Sequence, residues 1–407
     1  MNKRGIMKRH LSISLICAIV GMTHAAMITV GVQWKDDQGN PIHAHGGNII
    51  KVGSTFYLYG ENTRNMSVGL EFGAFNGIRC YSSTDFQTWH SEGIACPVTA
   101  SGSLSTQGIA YRPKVLFNSS ASTYVMVLSE CCPLRQGLIF AKSSTPTGPF
   151  IYQSKWTVQP VMDLGAFKDD DGTAYVVFSN GNHHNSIYRL SSDYLSVADK
   201  ICDIGPDPAA CEEGPALMKA NGRYFLVNSW CSYWSPNQNH YRTATNIAGP
   251  WSKNPDGNLG NSSTYESQSG HIFPVTGASG ATYIFMGDRW DCTANACDLS
   301  MSKYVWLPLT ISGSSMSMAW YDTWYLDIQK GTWSAQPTSV ASRPTDVCAK
   351  HVGDLTMYDI HGRKVADELA GRAAAKCLPG SHGVFLAIES GRAVYRIQGK
   401  GSFTRVK

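Results

Sequence analysis

Five times between residues 45 and 290 the chain repeats one pattern: a few polar or charged residues, a short apolar run, a turn rich in Gly, Asn, Asp or Ser, and an aromatic β-forming run. The repeats read His45-Gly-Gly-Asn-Ile-Ile before Phe56-Tyr-Leu-Tyr, Arg112-Pro-Lys-Val-Leu-Phe before Tyr124-Val-Met-Val, Asp163-Leu-Gly-Ala-Phe before Ala174-Tyr-Val-Val-Phe, Glu213-Gly-Pro-Ala-Leu-Met before Tyr224-Phe-Leu-Val, and Gln268-Ser-Gly-His-Ile-Phe before Tyr283-Ile-Phe-Met. Their leading residues stand 67, 51, 50 and 55 positions apart. Units of this length hold four short strands each, with hairpin turns such as Asn221-Gly222 and Asp171-Gly172 between the first two. Repeated four-stranded units without sustained helical periodicity predict an all-β fold, a five-bladed β-propeller over residues 27–335.

That architecture carries a chemical expectation. The first strand of each blade lines the central channel, so one position per blade gathers His45, Arg112, Asp163, Glu213 and Gln268 around a single pocket. Two carboxylates facing each other with a cation and an amide nearby are the apparatus of glycosidic bond hydrolysis.

Charge excludes a rival class. The formal net charge is +4, but residues 1–26 carry four basic residues and no acid, and the segment from Ser342 to Lys407 carries a surplus of five positive charges. The middle section is therefore acidic, and no basic groove for nucleic acid is expected in it. Residues 1–26, with a basic start, an apolar run from Leu11 to Met22 and Ala25-Ala26, read as a cleaved signal peptide. The run is too short for a comfortable membrane span, so the mature protein is expected to be secreted or held at the cell surface. Export permits disulfides among the 11 mature cysteines, with Cys202/Cys211, Cys292/Cys297 and Cys348/Cys377 as candidate pairs. No metal site or organic cofactor is implied, and Asp170 and Asp171 read as turn residues.

Two of the repeats, Asp163-Leu-Gly-Ala-Phe-Lys-Asp-Asp-Asp-Gly-Thr-Ala-Tyr and Glu213-Gly-Pro-Ala-Leu, resemble signature segments of glycoside hydrolase family 43. His43-Ala-His-Gly-Gly, Tyr57-Leu-Tyr-Gly-Glu-Asn, Arg112-Pro-Lys-Val, Ser267-Gln-Ser, Phe285-Met-Gly-Asp-Arg-Trp and Tyr304-Val-Trp-Leu-Pro-Leu are similar to its exo-β-1,3-galactanase branch. The resemblance implies five-bladed propellers that cleave with inversion. It implies Glu213 as general acid, Asp163 as the carboxylate that raises the pKa of Glu213, and Gln268 as the residue that serves the attacking water. Gln268 acts either as a base through its imidic-acid tautomer or only by positioning the water, with Glu266 a fallback base. Glu61, Asn185 and Trp234 match sugar-contacting positions, and His45, Arg112 and Arg289 are placed around the pocket.

Two departures bear on the substrate. Tyr111 stands where the branch usually has Glu, changing a substrate-binding position, and Tyr233 stands where a small residue is usual and would narrow or reshape the pocket. The leading expectation is an exo-acting inverting glycosidase on galactan or arabinogalactan side chains. Other sugar specificities, an arabinofuranosidase or galactofuranosidase, stay open, as does a glycan-binding propeller without activity. Residues 336–347 read as a linker, and 348–407 as a small C-terminal β-sandwich-like domain. Leu355-Thr-Met-Tyr-Asp-Ile-His-Gly-Arg-Lys-Val and Pro379-Gly-Ser-His-Gly-Val-Phe-Leu-Ala resemble the sorting domains of proteins exported by type IX secretion, whose machinery would be the partner.

Overall fold

The computed structural model describes residues 25–336 apart from 69–72, 131–136, 158–160, 181–183, 206–210 and 294–295, together with five short strands between 356 and 405. The chain divides into two units, residues 1–338 and 339–407. The expected signal peptide lies almost wholly, and the expected linker mostly, outside the described residues.

The first unit enters as β1 (Ala26–Thr29) and then builds antiparallel four-stranded sheets in succession. The first sheet is β2 (His45–Val52), β3 (Thr55–Glu61), β5 (Ile78–Ser83) and β6 (His90–Cys96), with the short β4 (Ser67–Val68) between β3 and β5. The second is β7 (Ala110–Asn118), β8 (Thr123–Glu130), β9 (Gly137–Ser143) and β10 (Ile151–Trp156), and the third is β11 (Val161–Lys168), β12 (Ala174–Asn180), β13 (Asn185–Leu190) and β14 (Val197–Ile204). The fourth is β15 (Glu212–Ala220), β16 (Arg223–Trp230), β17 (His240–Ala244) and β18 (Gly257–Asn258). In the next, β19 (Gln268–Gly277), β20 (Gly280–Arg289), β22 (Lys303–Ser312) and β23 (Ser315–Met318) pair, while β21 (Cys297–Asp298) leaves the sheet to pair with β4. Finally β24 (Thr323–Asp327) and β25 (Thr332–Ser334) join β1 in a three-stranded sheet.

The expected five-bladed propeller is corrected by this last sheet. Among the described residues the propeller has six blades, not five, the two-stranded β4–β21 pair aside, because β1 pairs with β24 in a further sheet, Ala26 opposite Leu326 and Thr29 opposite Thr323. A scan for a repeated strand pair finds units contiguous in sequence. A sheet closed by two segments some 300 residues apart carries no such local signal.

Period-two alternation along the strands explains the packing. On β8, Tyr124, Met126 and Leu128 enter the core between the first two sheets, whereas Val125 and Val127 enter the core between the second and third. The largest cluster lies where the first, fourth and fifth four-stranded sheets meet the closing sheet, around the fully buried Trp89, Trp306, Trp324, Phe56 and Phe86. Each such side chain contributes about 1.5–3 kcal/mol by leaving water.

The inner strands β2, β7, β11, β15 and β19 share one irregularity that positions the site. Each carries a bulge near its start, at His45/Asn48, Tyr111/Lys114, Met162/Gly165, Glu213/Ala216 and Ser269/His271. In four of them a residue in the left-handed region makes the turn: Gly46 (φ 66°), Arg112 (φ 52°), Asp163 (φ 52°) and Gly214 (φ 61°). Glycine adopts this geometry freely, whereas Arg and Asp incur about 1–2 kcal/mol each. The registers also correct the expected phase. His45, Glu213 and Gln268 are equivalent, together with Tyr111 and Met162, while Arg112 and Asp163 sit one position later, on the bulge itself.

In the second unit β26 (Thr356–Tyr358), β27 (Lys364–Ala366), β28 (Val384–Glu389), β29 (Arg392–Gln398) and β30 (Ser402–Arg405) form one antiparallel sheet in the order β27-β26-β28-β29-β30. The sorting-domain motifs fall largely outside the described residues.

Among the described residues no helix is long and apolar enough to cross a membrane. Cys292 and Cys297 are bridged as expected, but Cys211 is bonded to Cys231 and Cys202 is free, correcting the Cys202/Cys211 pairing. Cys348 and Cys377 lie outside the described residues.

Candidate active site

Arg112 organises the channel mouth. Its left-handed backbone N–H donates to Glu61 Oε1 at 3.0 Å, its Nε donates to Asp163 Oδ1 at 3.1 Å, and its Nη2 donates to Gln268 Oε1 at 2.5 Å. A buried guanidinium needs this compensation, and its fork shape permits several partners at once. Asp163 turns its other oxygen to the Gly214 N–H at 2.7 Å, which ties the bulge of β11 to that of β15. Beneath them the fully buried Lys114 donates to the carbonyls of Gly46 and Gly47 at 2.5 and 3.1 Å, and burial lowers its pKa to about 7.

Glu213, next to the Gly214 bulge, is partly exposed. Its Oε1 accepts from Gln268 Nε2 at 3.1 Å and lies 3.5 Å from the Ser232 N–H. Burial, followed by the negative charge of Asp163, pushes its pKa up to about 8, against the opposing pull of Arg112. Its neighbour Glu212 has the opposite environment. Fully buried, it accepts from Arg242 Nη1 at 2.5 Å and from Asn185 Nδ2 at 3.0 Å, and it lies 2.7 Å from His240 Nε2. These partners outweigh burial and hold its pKa below the usual carboxylate value. Of two adjacent glutamates, one is a structural anion and the other carries a labile proton near neutral pH.

The cleft that Gln268 enters is lined by Ser229, Tyr233, Trp234, Asp288 and Trp290, among others. Trp234 and Trp290 meet edge to face with centroids 5.4 Å apart, and Trp234 also walls an adjoining cleft with Glu61 and Tyr111. Aromatic walls beside carboxylates suit a sugar ring.

The sequence-predicted residues divide. Glu213, Asp163, Arg112 and Gln268 form one hydrogen-bonded group, and Glu61, its pKa raised by burial to about 6, joins it through Arg112. Tyr111 is buried, and its hydroxyl accepts the Asp163 N–H at 3.2 Å. Asn185 is fully buried between Glu212 and Asn228, not on the cleft surface. His45 is buried with Nδ1 2.8 Å from Asp288 Oδ1. Glu266 follows two other left-handed residues, Thr264 and Tyr265, so it reaches the same cleft as Gln268, yet its carboxylate is 67% exposed and 3.6 Å from Arg289 Nε. Tyr233 lines the same cleft while 85% exposed, so it stands at the rim. Arg289 donates from Nη2 to the Tyr265 carbonyl at 2.6 Å.

Sequence reasoning missed Asp288 and Trp290. Asp288 is the last residue but one of β20 and Glu61 the last of β3, and the registers Gln268↔Asp288 and His45↔Glu61 make them equivalent. The parallel between Gly60-Glu61 and Gly287-Asp288 was the available signal. Trp290 donates from Nε1 to Gln268 Oε1 at 3.1 Å.

Comparison with known proteins shows the family. The model of the glycosyl hydrolases family 43 matches residues 39–291. No curated protein sequence matches. Among solved structures, an exo-β-1,3-galactanase from Phanerochaete chrysosporium, crystallised as a variant with β-1,3-galactotriose, is similar at 30% identity and a TM-score of 0.69, over 83% of this chain and 72% of that one. An exo-β-1,3-galactanase from Clostridium thermocellum is similar at 29% identity and a TM-score of 0.68, with the same shares. A family 43 β-1,3-galactosidase solved with galactodeoxynojirimycin is similar at 28% identity and a TM-score of 0.63, over 72% of this chain and 99% of that one.

Proposed function

Because this chain belongs to glycosyl hydrolases family 43, a family of inverting glycoside hydrolases, we propose that it is a secreted exo-β-1,3-galactosidase acting on galactan or arabinogalactan side chains. The similar galactanases support the linkage and sugar. The observation that carries the chemistry is Glu213: a partly exposed carboxyl with its pKa raised to about 8, hydrogen-bonded to Gln268, which lines a tryptophan-walled cleft.

In this reading Glu213 protonates the leaving glycosidic oxygen, Asp163 and burial keep that proton in place, and Arg112 holds Asp163 and Gln268 in register. Water attacks the opposite face of the anomeric carbon, and the sugar leaves with inverted configuration. Trp234 and Trp290 stack on or flank the terminal galactose, with Glu61 at its polar edge. Asn185 acts indirectly, through Glu212 at the base of β15. The two disulfides among the described residues suit an oxidising compartment.

The test is product analysis on β-1,3-galactan and β-1,3-galactobiose. Galactose released one unit at a time, first as the α-anomer by proton NMR, is the expected result. Oligosaccharides without galactose, retention of configuration, or activity confined to arabinofuranosides or galactofuranosides would overturn it.

A further inference from the structure

The reaction needs a group that takes a proton from water, and the amide of Gln268 is poorly placed to do so. Its oxygen already accepts from two donors, Arg112 Nη2 at 2.5 Å and Trp290 Nε1 at 3.1 Å, while its nitrogen donates to Glu213 at 3.1 Å and Ser229 Oγ at 3.3 Å. Reversing the amide would set its NH₂ against two donors, so the orientation is fixed by its neighbours. An imidic-acid tautomer would carry its proton on the oxygen, where only donors face it.

Besides Glu213, and Glu61 whose Oε1 is held by the Arg112 N–H, three further carboxylates belong to this neighbourhood. Asp163 spends both oxygens on Arg112 and Gly214. Glu266 faces solvent and Arg289. Asp288 lines the cleft, is the cross-strand partner of Gln268, and is held from behind. Its Oδ1 accepts from His45 Nδ1 at 2.8 Å and its Oδ2 from the Gly46 N–H at 2.9 Å, leaving one lone pair on each oxygen. His45 is itself fixed, its ring stacked on Tyr304 at 4.3 Å. A Cβ added at Gly270 would lie 3.2 Å from Asp288 Oδ2 and 3.7 Å from Arg112 Nη1, so glycine at this position leaves room for the carboxylate beside the guanidinium.

We propose that Asp288 is the general base of this hydrolase and that His45 is its positioning residue. Resting on the glycosidase reading above, the step runs as follows: Asp288 takes a proton from water, the water oxygen bonds to the anomeric carbon, the glycosidic C–O bond breaks, and Glu213 gives its proton to the departing oxygen. Gln268 then orients the water or the sugar without accepting a proton.

The experiment compares Asp288→Ala, Asp288→Asn and Gln268→Ala on β-galactosyl fluoride and β-1,3-galactobiose, with and without azide. Asp288→Ala and Asp288→Asn should lower kcat by about 10²–10⁴-fold on both substrates. Azide, a nucleophile that needs no base, should restore turnover in Asp288→Ala by at least about tenfold and give α-galactosyl azide, with little effect on Gln268→Ala. His45→Gln should lower kcat and move the acid limb of the pH profile while leaving KM near that of the wild type. Melting temperature and galactose affinity establish that each variant is folded, and Asp288→Asn keeps the shape if Asp288→Ala does not. A folded Asp288 variant that keeps more than a tenth of wild-type kcat on the fluoride, or stays silent to azide, overturns the assignment, as does azide rescue of Gln268→Ala alone. Wild-type protein inactive on both galactosides would instead refute the glycosidase reading, before any variant is compared.

Discussion

Oε1 of Glu213 accepts a hydrogen bond from Nε2 of Gln268 at 3.1 Å, and the far end of the same amide is held by Arg112 and Trp290. The acid is thus coupled to the cationic centre of the channel through a neutral side chain, while Asp163 lies near enough to disfavour its ionisation.

An acid catalyst must be protonated. With the pKa of Glu213 raised to about 8, activity on unactivated β-1,3-galactosides should fall as pH rises through about 8. Asp163→Asn removes the repelling charge and should shift that limb to lower pH. An alkaline limb that stays in place in this variant would contradict the coupling. Glu213→Gln should lower kcat by about 10²–10⁴-fold on galactobiose, with a smaller loss on aryl galactosides whose leaving groups need little protonation.

The same shift has a consequence for stability. Glu213 has a folded pKa above its unfolded value of 4.5, so between pH 4.5 and about 8 the folded state holds a proton that the unfolded state releases, and stability falls as pH rises through that window. Glu213→Gln escapes this loss. Its melting temperature should match the wild type near pH 4 and exceed it increasingly toward pH 8, and differential scanning calorimetry across that range is the check. Glu212→Ala should behave oppositely, costing about 3–5 kcal/mol by leaving Arg242 buried without its carboxylate.

Cys211 directly precedes Glu212, and Cys231 directly precedes Ser232, whose N–H faces Glu213. Their bond closes a segment with a sequence separation of 20, for which loss costs about 3 kcal/mol by chain entropy. The double variant Cys211→Ser/Cys231→Ser should unfold at lower denaturant concentration. It should also show a raised KM, because the loop it frees carries Trp234. An unchanged KM would separate that loop from sugar binding.

Tyr111 accepts the N–H of Asp163, a residue held at φ 52°. Tyr111→Phe leaves that buried donor without an acceptor, at about 1–3 kcal/mol. Urea denaturation should show the loss. If the midpoint is unchanged, the tyrosine does not support the bulge.

Glu213, Asp163, Arg112 and Gln268 were legible because each opens a repeat whose apolar run fixes its place in an inner strand, and hydrophobic alternation is local. Their phase was not. Arg112 and Asp163 look equivalent to His45 and Glu213 in sequence, but occupy the bulge that Gly46 and Gly214 occupy elsewhere, and a bulge is defined by the strand opposite. Asn185 shows the same limit: an amide suited to a sugar is turned inward by Glu212, whose charge needed satisfying there.

By itself the sequence determined an all-β chain of repeated strand units with acids, a cation and an amide at their openings, since strand periodicity and turn residues act over a few positions. Only the tertiary structure decided what depends on segments far apart: the closing sheet of β1 with β24, the bonding of Cys211 to Cys231 in place of Cys202, and the capture of Asp288 by His45 across 243 positions. Those outcomes depend on which backbone groups and charges are buried together, and burial is a property of the folded whole.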